Sequence, residues 1–304
     1  MGRCTGLEAR SYWPVTWKPM TIKRVGIVGS GIMGAGIAET AAKAGFEVVL
    51  RSRRQETADA TMAGLEKSLA KQVERGKLSE EDRVAALSRV TATSDLNELA
   101  DVDLVIESVV EDLETKKHLF RELDRIINKD AVLATNTSTL PVVELAMETN
   151  RPQLVCGIHF FNPAPAMSLV EIIRPLTAND ETIAAAHEFV TTCGKDAVEV
   201  KDQAGFIVNH LLFPYLNNAV RLLEQGVATR DAIDTAMKGG CNFPMGPFAL
   251  LDLVGLDTSV AILDALYDEF RDPHYAAVPL LRRMVTAGQL GRKSGQGFYD
   301  YRRK

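Results

Sequence analysis

Long apolar runs are missing from this 304-residue chain. None approaches the roughly 20 residues that a helix needs to cross a bilayer, so no membrane-spanning role is expected. An excess of basic charge is missing too: 35 Lys and Arg stand against 40 Asp and Glu, a net charge of −5. That balance argues against broad nucleic-acid binding, although a local basic patch can still hold a small phosphorylated molecule. Cysteine is scarce, and Cys4, Cys156, Cys193 and Cys241 form neither a CxxC pair nor a metal-ligand spacing. No metal site is expected, and the cysteines read as free thiols in a reducing cytoplasm. Both tryptophans, Trp13 and Trp17, fall in a first segment with no continuous apolar region of the kind a cleavable signal requires. Periodic patterning starts only at "MTIKRVGIVGSG", so residues 1–20 are expected to be a disordered extension, with Met20 near the natural start of the fold.

What is present is the pattern of an α/β protein, and the length suggests two domains. "IKRVGIVG" reads as a buried strand stopped by glycine, "IMGAGIAETAAKAG" as a helix ending at Gly45, and "FEVVLRS" as a second strand. Strand, glycine turn, helix and strand within about 30 residues make a βαβ unit, which commits the first half to a Rossmann-type, mostly parallel sheet. A long helix is expected from about Glu56 to Arg75. "VDLVIESVV", "AVLATNT" and "QLVCGIHFF" read as further strands leading into polar tips, where ligands gather in such sheets. After about residue 200 the pattern becomes helix-periodic, beginning with "DQAGFIVNHLLFPYLNNAVRLLEQG". The expected division is a dinucleotide-binding domain over 21–200 and a mostly helical domain over 201–304.

Gly29, Gly31 and Gly34, with Ile32 and Met33 between the last two, form G-x-G-x-x-G after a strand and at the opening of a helix. In that context the motif binds the pyrophosphate of a dinucleotide. A carboxylate about 20 residues further on normally accepts hydrogen bonds from the adenosine ribose. Ser52 stands there instead, followed by Arg53 and Arg54. Loss of the carboxylate removes its repulsion of a 2′-phosphate, and two guanidinium groups are suited to clamp one. The expected cofactor is therefore NADP, with NAD as the alternative if the arginines form only a solvated pair.

Of five histidines, His159 alone sits at the end of a buried strand, in "CGIHFFNP". Twelve residues later Glu171 lies in "SLVEIIRP", flanked by apolar residues on both sides. A carboxylate so placed needs a partner, and an imidazole fits. Periodicity alone leaves this pair and a solvent-facing Glu171 equally open. Lys67, Lys71 and Arg75 form a basic stripe at i, i+4 and i+8 with Ser68 adjacent, to be read as a phosphate handle or as a solvated face.

"GSGIMGAGIAE", "NTSTL", "HFFNPAPAMSLVEII", "AGFIVNHLLFPYLNNAV", "GPFALLDLVGLD" and "GRKSGQGFYDY" together resemble the 3-hydroxyacyl-CoA dehydrogenases, in particular the short-chain 3-hydroxybutyryl-CoA dehydrogenase branch. The resemblance spans about residues 21–302. It implies that His159 is the catalytic acid/base, that Glu171 orients it, and that Ser138 and Asn209 hold the substrate's 3-oxygen and CoA-side groups. It also implies that Asn162 sits beside nicotinamide and substrate, and that Ser68 and its basic neighbours contact CoA. Glu111, Lys116 and Lys293 match cofactor-contact positions, against the plainer readings of a polar helix start and a glycine-rich structural turn.

The implied activity is interconversion of acetoacetyl-CoA and (S)-3-hydroxybutyryl-CoA by an enzyme that dimerises through its helical domain. A hydroxyacid dehydrogenase without CoA binding and a non-catalytic dinucleotide sensor are the competing readings. Members that use NAD place Asp where this chain has Ser52, so the resemblance does not assign NAD here. Chain-length preference and physiological direction stay open, although NADPH use would lean toward reduction.

Overall fold

The structure, a computed structural model, describes residues 21–302; the expectations for residues 1–20, Trp13 and Trp17 lie outside the described residues. The first βαβ unit comprises β1 (Arg24–Val28), α1 (Ile32–Lys43) and β2 (Glu47–Arg51). Its helix turns Ile37, Ala38, Ala41 and Ala42 toward the sheet, small enough for close approach, and Gly45 ends it with φ +101°. Then come α2 (Gln55–Glu74), α3 (Glu80–Ser88), β3 (Val90–Thr93), β4 (Leu104–Glu107), α4 (Leu113–Ile126), β5 (Val132–Thr135) and α5 (Val142–Ala146). The sheet is completed by β6 (Val155–Phe160), β7 (Leu169–Arg174) and, beyond α6 (Asp180–Thr192), β8 (Asp196–Lys201).

The eight strands run in the order β3-β2-β1-β4-β5-β6-β7-β8. The order reverses between β1 and β4, the point at which an open α/β sheet offers a crevice at the carboxyl ends of its strands. All pairings are parallel except β6 with β7, which sets His159 directly opposite Glu171. Two apolar layers cover the sheet, one around Ile27, Ile37 and Leu104, the other around Val28, Val105 and Leu133.

A third core belongs to the helices that follow: α7 (Val208–Glu224), α8 (Arg230–Cys241), α9 (Pro247–Val254), α10 (Leu256–Phe270) and α11 (Pro279–Thr286). The molecule is thus a Rossmann-like domain followed by a helical domain. No helix among the described residues is long and apolar enough to cross a membrane.

One expectation needs correction. The helical pattern read from Asp202 onward does not become helix until Val208. Gly205 and Phe206 have φ of +73° and +49°, a left-handed turn that no α-helix contains. Hydrogen bonds to three other elements hold this junction. Asp202 accepts the Val142 and Val143 N–H groups at the start of α5, Glu269 accepts the Ala204 N–H, and Glu171 accepts those of Ile207 and Val208.

Candidate active site

The glycine turn fits a pyrophosphate on steric grounds. A Cβ on Gly29 would lie 2.3 Å from Ser108 O, and one on Gly34 would lie 1.8 Å from Gly29 O, so both positions demand glycine for packing. Gly31 differs: a Cβ there would meet nothing within 4 Å, because it faces open space. No side chain caps α1, which leaves its first N–H groups to a ligand. Ile32 is exposed at the mouth of the turn, while Met33 packs against the apolar layer beneath.

At the end of β2, Ser52 is buried and its hydroxyl lies 2.7 Å from that of Ser30, inside the glycine turn. Arg53 and Arg54 are exposed, and neither pairs with a carboxylate among the described residues. Arg51, the third arginine of the group, instead turns its Nε toward Ser94 O.

Across the crevice lies a carboxylate–ammonium chain. Glu107 ends β4 fully buried, and its two oxygens lie 2.7 and 2.9 Å from Lys116 Nζ. The Thr135 hydroxyl and the Val109 N–H also donate to Glu107. Lys116 reaches Glu111 at 3.3 Å, so its ammonium is enclosed by two carboxylates and acts on the crevice through Glu111. Glu111 in turn accepts from the Thr137 hydroxyl, the Ser138 N–H at 2.8 Å and the Ser138 hydroxyl at 3.2 Å. Burial pushes the Glu111 carboxyl up, but Lys116, Thr137 and the Ser138 N–H outweigh it and leave it below the usual glutamate range.

The His159–Glu171 pair forms, with Nδ1 and Oε2 2.8 Å apart and Glu171 wholly buried. The antiparallel register of β6 and β7 is the cause. The other Glu171 oxygen accepts N–H groups from Ile207 at 3.0 Å and Val208 at 2.9 Å. The rings of Phe161 and Phe206 lie 4.5 and 5.6 Å from the imidazole, centroid to centroid. Asn136, at the tip of β5, accepts the Phe160 N–H at 2.8 Å and so fixes the end of β6. Asn209, in the first turn of α7, extends its Nδ2 to Ser138 O at 3.4 Å. With Nδ1 committed to a carboxylate, Nε2 is the nitrogen left for proton transfer.

The remaining candidates are placed separately. Asn162 is exposed just beyond β6. Lys293 pairs with Asp257 at the start of α10. Lys67, Lys71 and Arg75 are all exposed along α2. Lys67 also borders the groove toward α3 with Glu80 and Arg83. The Ser68 hydroxyl turns inward, 2.8 Å from the buried Glu39 carboxylate on α1. Ser30 and Glu107 are given no role by the sequence alone, and Asn136 reads there only as the polar tip of a strand. The glutamate at the end of "DLVIE" was the available signal, since a charge closing an apolar strand needs a partner.

A glycine turn at a strand-order reversal and a buried histidine–carboxylate pair on the same sheet fit the class of dinucleotide-binding dehydrogenases. Comparison with known proteins narrows the class. The model of the 3-hydroxyacyl-CoA dehydrogenase NAD-binding domain matches residues 24–203, and that of the C-terminal domain of the same enzymes matches residues 205–301. The chain belongs to the 3-hydroxyacyl-CoA dehydrogenase family.

It is 49% identical over 267 residues to a 3-hydroxybutyryl-CoA dehydrogenase of Mycobacterium tuberculosis, covering 87% of this chain and 93% of the relative. Identity to the mitochondrial hydroxyacyl-coenzyme A dehydrogenase of Sus scrofa is 40%, over 88% of this chain and 87% of that one. The crystal structure of an (S)-3-hydroxybutyryl-CoA dehydrogenase from Ralstonia eutropha superposes with a TM-score of 0.91 at 41% identity, covering 93% of this chain and 100% of the other.

The glycine turn generates a paired prediction. Gly31→Ala is expected to leave the melting temperature unchanged while weakening dinucleotide binding more than about tenfold, because its methyl group enters the ligand's space. Gly34→Ala is expected to lose both. Nicotinamide fluorescence titration beside a thermal melt checks this, and wild-type affinity in Gly31→Ala would remove the turn from the binding site.

Proposed function

We propose that the protein interconverts acetoacetyl-CoA and (S)-3-hydroxybutyryl-CoA with NADP as the preferred cofactor. The observation that carries the reaction is the buried His159–Glu171 pair at the crevice, 2.8 Å apart. The bound nicotinamide supplies the hydride acceptor or donor. In oxidation, neutral His159 takes the 3-hydroxyl proton at Nε2; in reduction, the imidazolium returns it to the 3-oxygen. Glu171 stabilises the imidazolium and holds the tautomer. The Ser138 hydroxyl and the Asn209 amide serve the oxygen on which negative charge grows, with Glu111 fixing the Ser138 loop. Glu111 and Asn162 border the nicotinamide, with Lys116 acting through Glu111 and Lys293 as the contact from the helical domain.

The preference for NADP rests on Ser52, Arg53 and Arg54. Ser30 and Ser52 satisfy each other where a carboxylate would repel a 2′-phosphate, and two unpaired guanidinium groups stand next in the chain. Lys67, Lys71 and Arg75 are the accessible cations of α2 for CoA phosphate, with Ser68 behind them. Two copies associate through the helical domain, where Leu211, Leu222, Val227, Phe243 and Leu253 expose apolar side chains. The free thiols fit a cytoplasmic setting.

Three measurements test the proposal. Reduction of acetoacetyl-CoA is expected to show a higher kcat/KM with NADPH than with NADH, and Arg53→Ala with Arg54→Ala should cut the NADPH value about tenfold or more while sparing NADH. Equal loss with both cofactors would return the arginines to the surface. His159→Ala is expected to lower kcat at least about a hundredfold with cofactor affinity retained; a modest loss would assign the proton to another group. Light scattering at micromolar concentration is expected to give twice the chain mass, and a monomer would exclude the dimer.

A further inference from the structure

Phe206 stands out among the residues that the proposed chemistry leaves unused. It is 1% exposed, and its side chain packs in the same core layer as Ile173 of β7. Its backbone is left-handed at φ +49°, one of only three non-glycine residues among those described with positive φ. The other two, Asn242 and Arg271, follow the C-terminal ends of α8 and α10, where a left-handed residue is an ordinary way to stop a helix. Phe206 instead precedes a helix. A buried aromatic residue in this conformation is costly and persists only where its surroundings fix it.

Those surroundings converge on the acid–base pair. The Phe206 ring lies 5.6 Å from the His159 ring, and Phe161 lies 4.5 Å from the same ring. The two peptide N–H groups that follow Phe206, those of Ile207 and Val208, both point to Glu171 Oε1. The left-handed turn makes this possible, because an αR conformation at Phe206 would continue the chain in another direction. On the assignment of His159 and Glu171 given above, we propose that Phe206 is a positioning residue for the pair. Its backbone aims the start of α7 at Glu171, and its ring limits rotation of the imidazole. Asn209 lies one residue past the second of these N–H groups, so the same turn sets its reach to Ser138.

The backbone component gives an order of activities that packing alone reverses. Valine fills more of the Phe206 space than glycine but resists the left-handed region, whereas glycine enters it freely. Phe206→Gly is therefore expected to retain about tenfold more kcat than Phe206→Val, with NADPH and NADH dissociation constants within about twofold of wild type in both. Phe206→Leu keeps the bulk and loses the ring, and is expected to lose about fivefold in kcat with little change in KM for acetoacetyl-CoA.

If Val exceeds Gly in activity, or if kcat and cofactor affinity fall together, the positioning role is overturned. If neither Gly nor Val folds, Phe206→Leu decides alone, and a kcat within twofold of wild type overturns the proposal. His159→Ala separates the two levels. Retained turnover there defeats the underlying assignment, whereas its loss beside a fully active Phe206→Leu defeats only the inference about Phe206.

Discussion

The carboxylate of Glu171 is the group on which the architecture depends. It has no solvent exposure, so its charge must be satisfied by protein donors or it costs several kcal/mol. Three donors reach it, and they come from both domains: His159 from the neighbouring strand, and the Ile207 and Val208 N–H groups from the start of the helical domain. The pair therefore exists in this form only when α7 is docked on the sheet. Domain packing and the geometry of the His159–Glu171 pair are one structural requirement, because a single buried carboxylate serves both.

The opposite wall of the crevice repeats the logic with different residues. Glu107 and Lys116 are each almost fully enclosed, and such a pair adds less to stability than to the choice of one arrangement over others. What it selects here is the position of Glu111, which accepts three hydrogen bonds from the Thr137–Ser138 loop. Glu111 sits below its usual range in the folded protein, so its contribution to stability is present at neutral pH and is lost as pH falls through the folded value. Buried charge on one side thus holds the Ser138 loop, and buried charge on the other holds the imidazole.

How legible these features were in the sequence follows from the range of the interactions. The β1–α1–β2 unit and its glycines are set by contacts within about 30 residues, and they read correctly. The His159–Glu171 pair was only half legible, since it depends on β7 running antiparallel to β6, which side-chain periodicity does not encode. Periodicity likewise carried the α7 pattern too far back, because the spacing of Ala204 to Ile207 and Val208 matches helix while the burial of Ala204 and Phe206 belongs to the junction turn. Ser68 turned away from its basic neighbours on α2 for a related reason. A helical wheel gives the angle of Ser68 but not the carboxylate of Glu39 that waits on the neighbouring helix.

The placement of the basic residues on α2 carries a further argument about anions. Arg53 and Arg54 immediately precede its first turn, where the helix dipole disfavours cations, and no carboxylate among the described residues offsets them. Two guanidinium groups at that end are a cost to the free protein that an anionic ligand would relieve. Lys71 and Arg75 lie at the other end, where the dipole favours them, so their presence needs no ligand to explain it. A helix of 20 residues is about 30 Å long, too far for the two groups to share one phosphate. Of the two, it is the Arg53–Arg54 end that the helix dipole disfavours, and this is the end that adjoins the glycine turn through the Ser30–Ser52 contact.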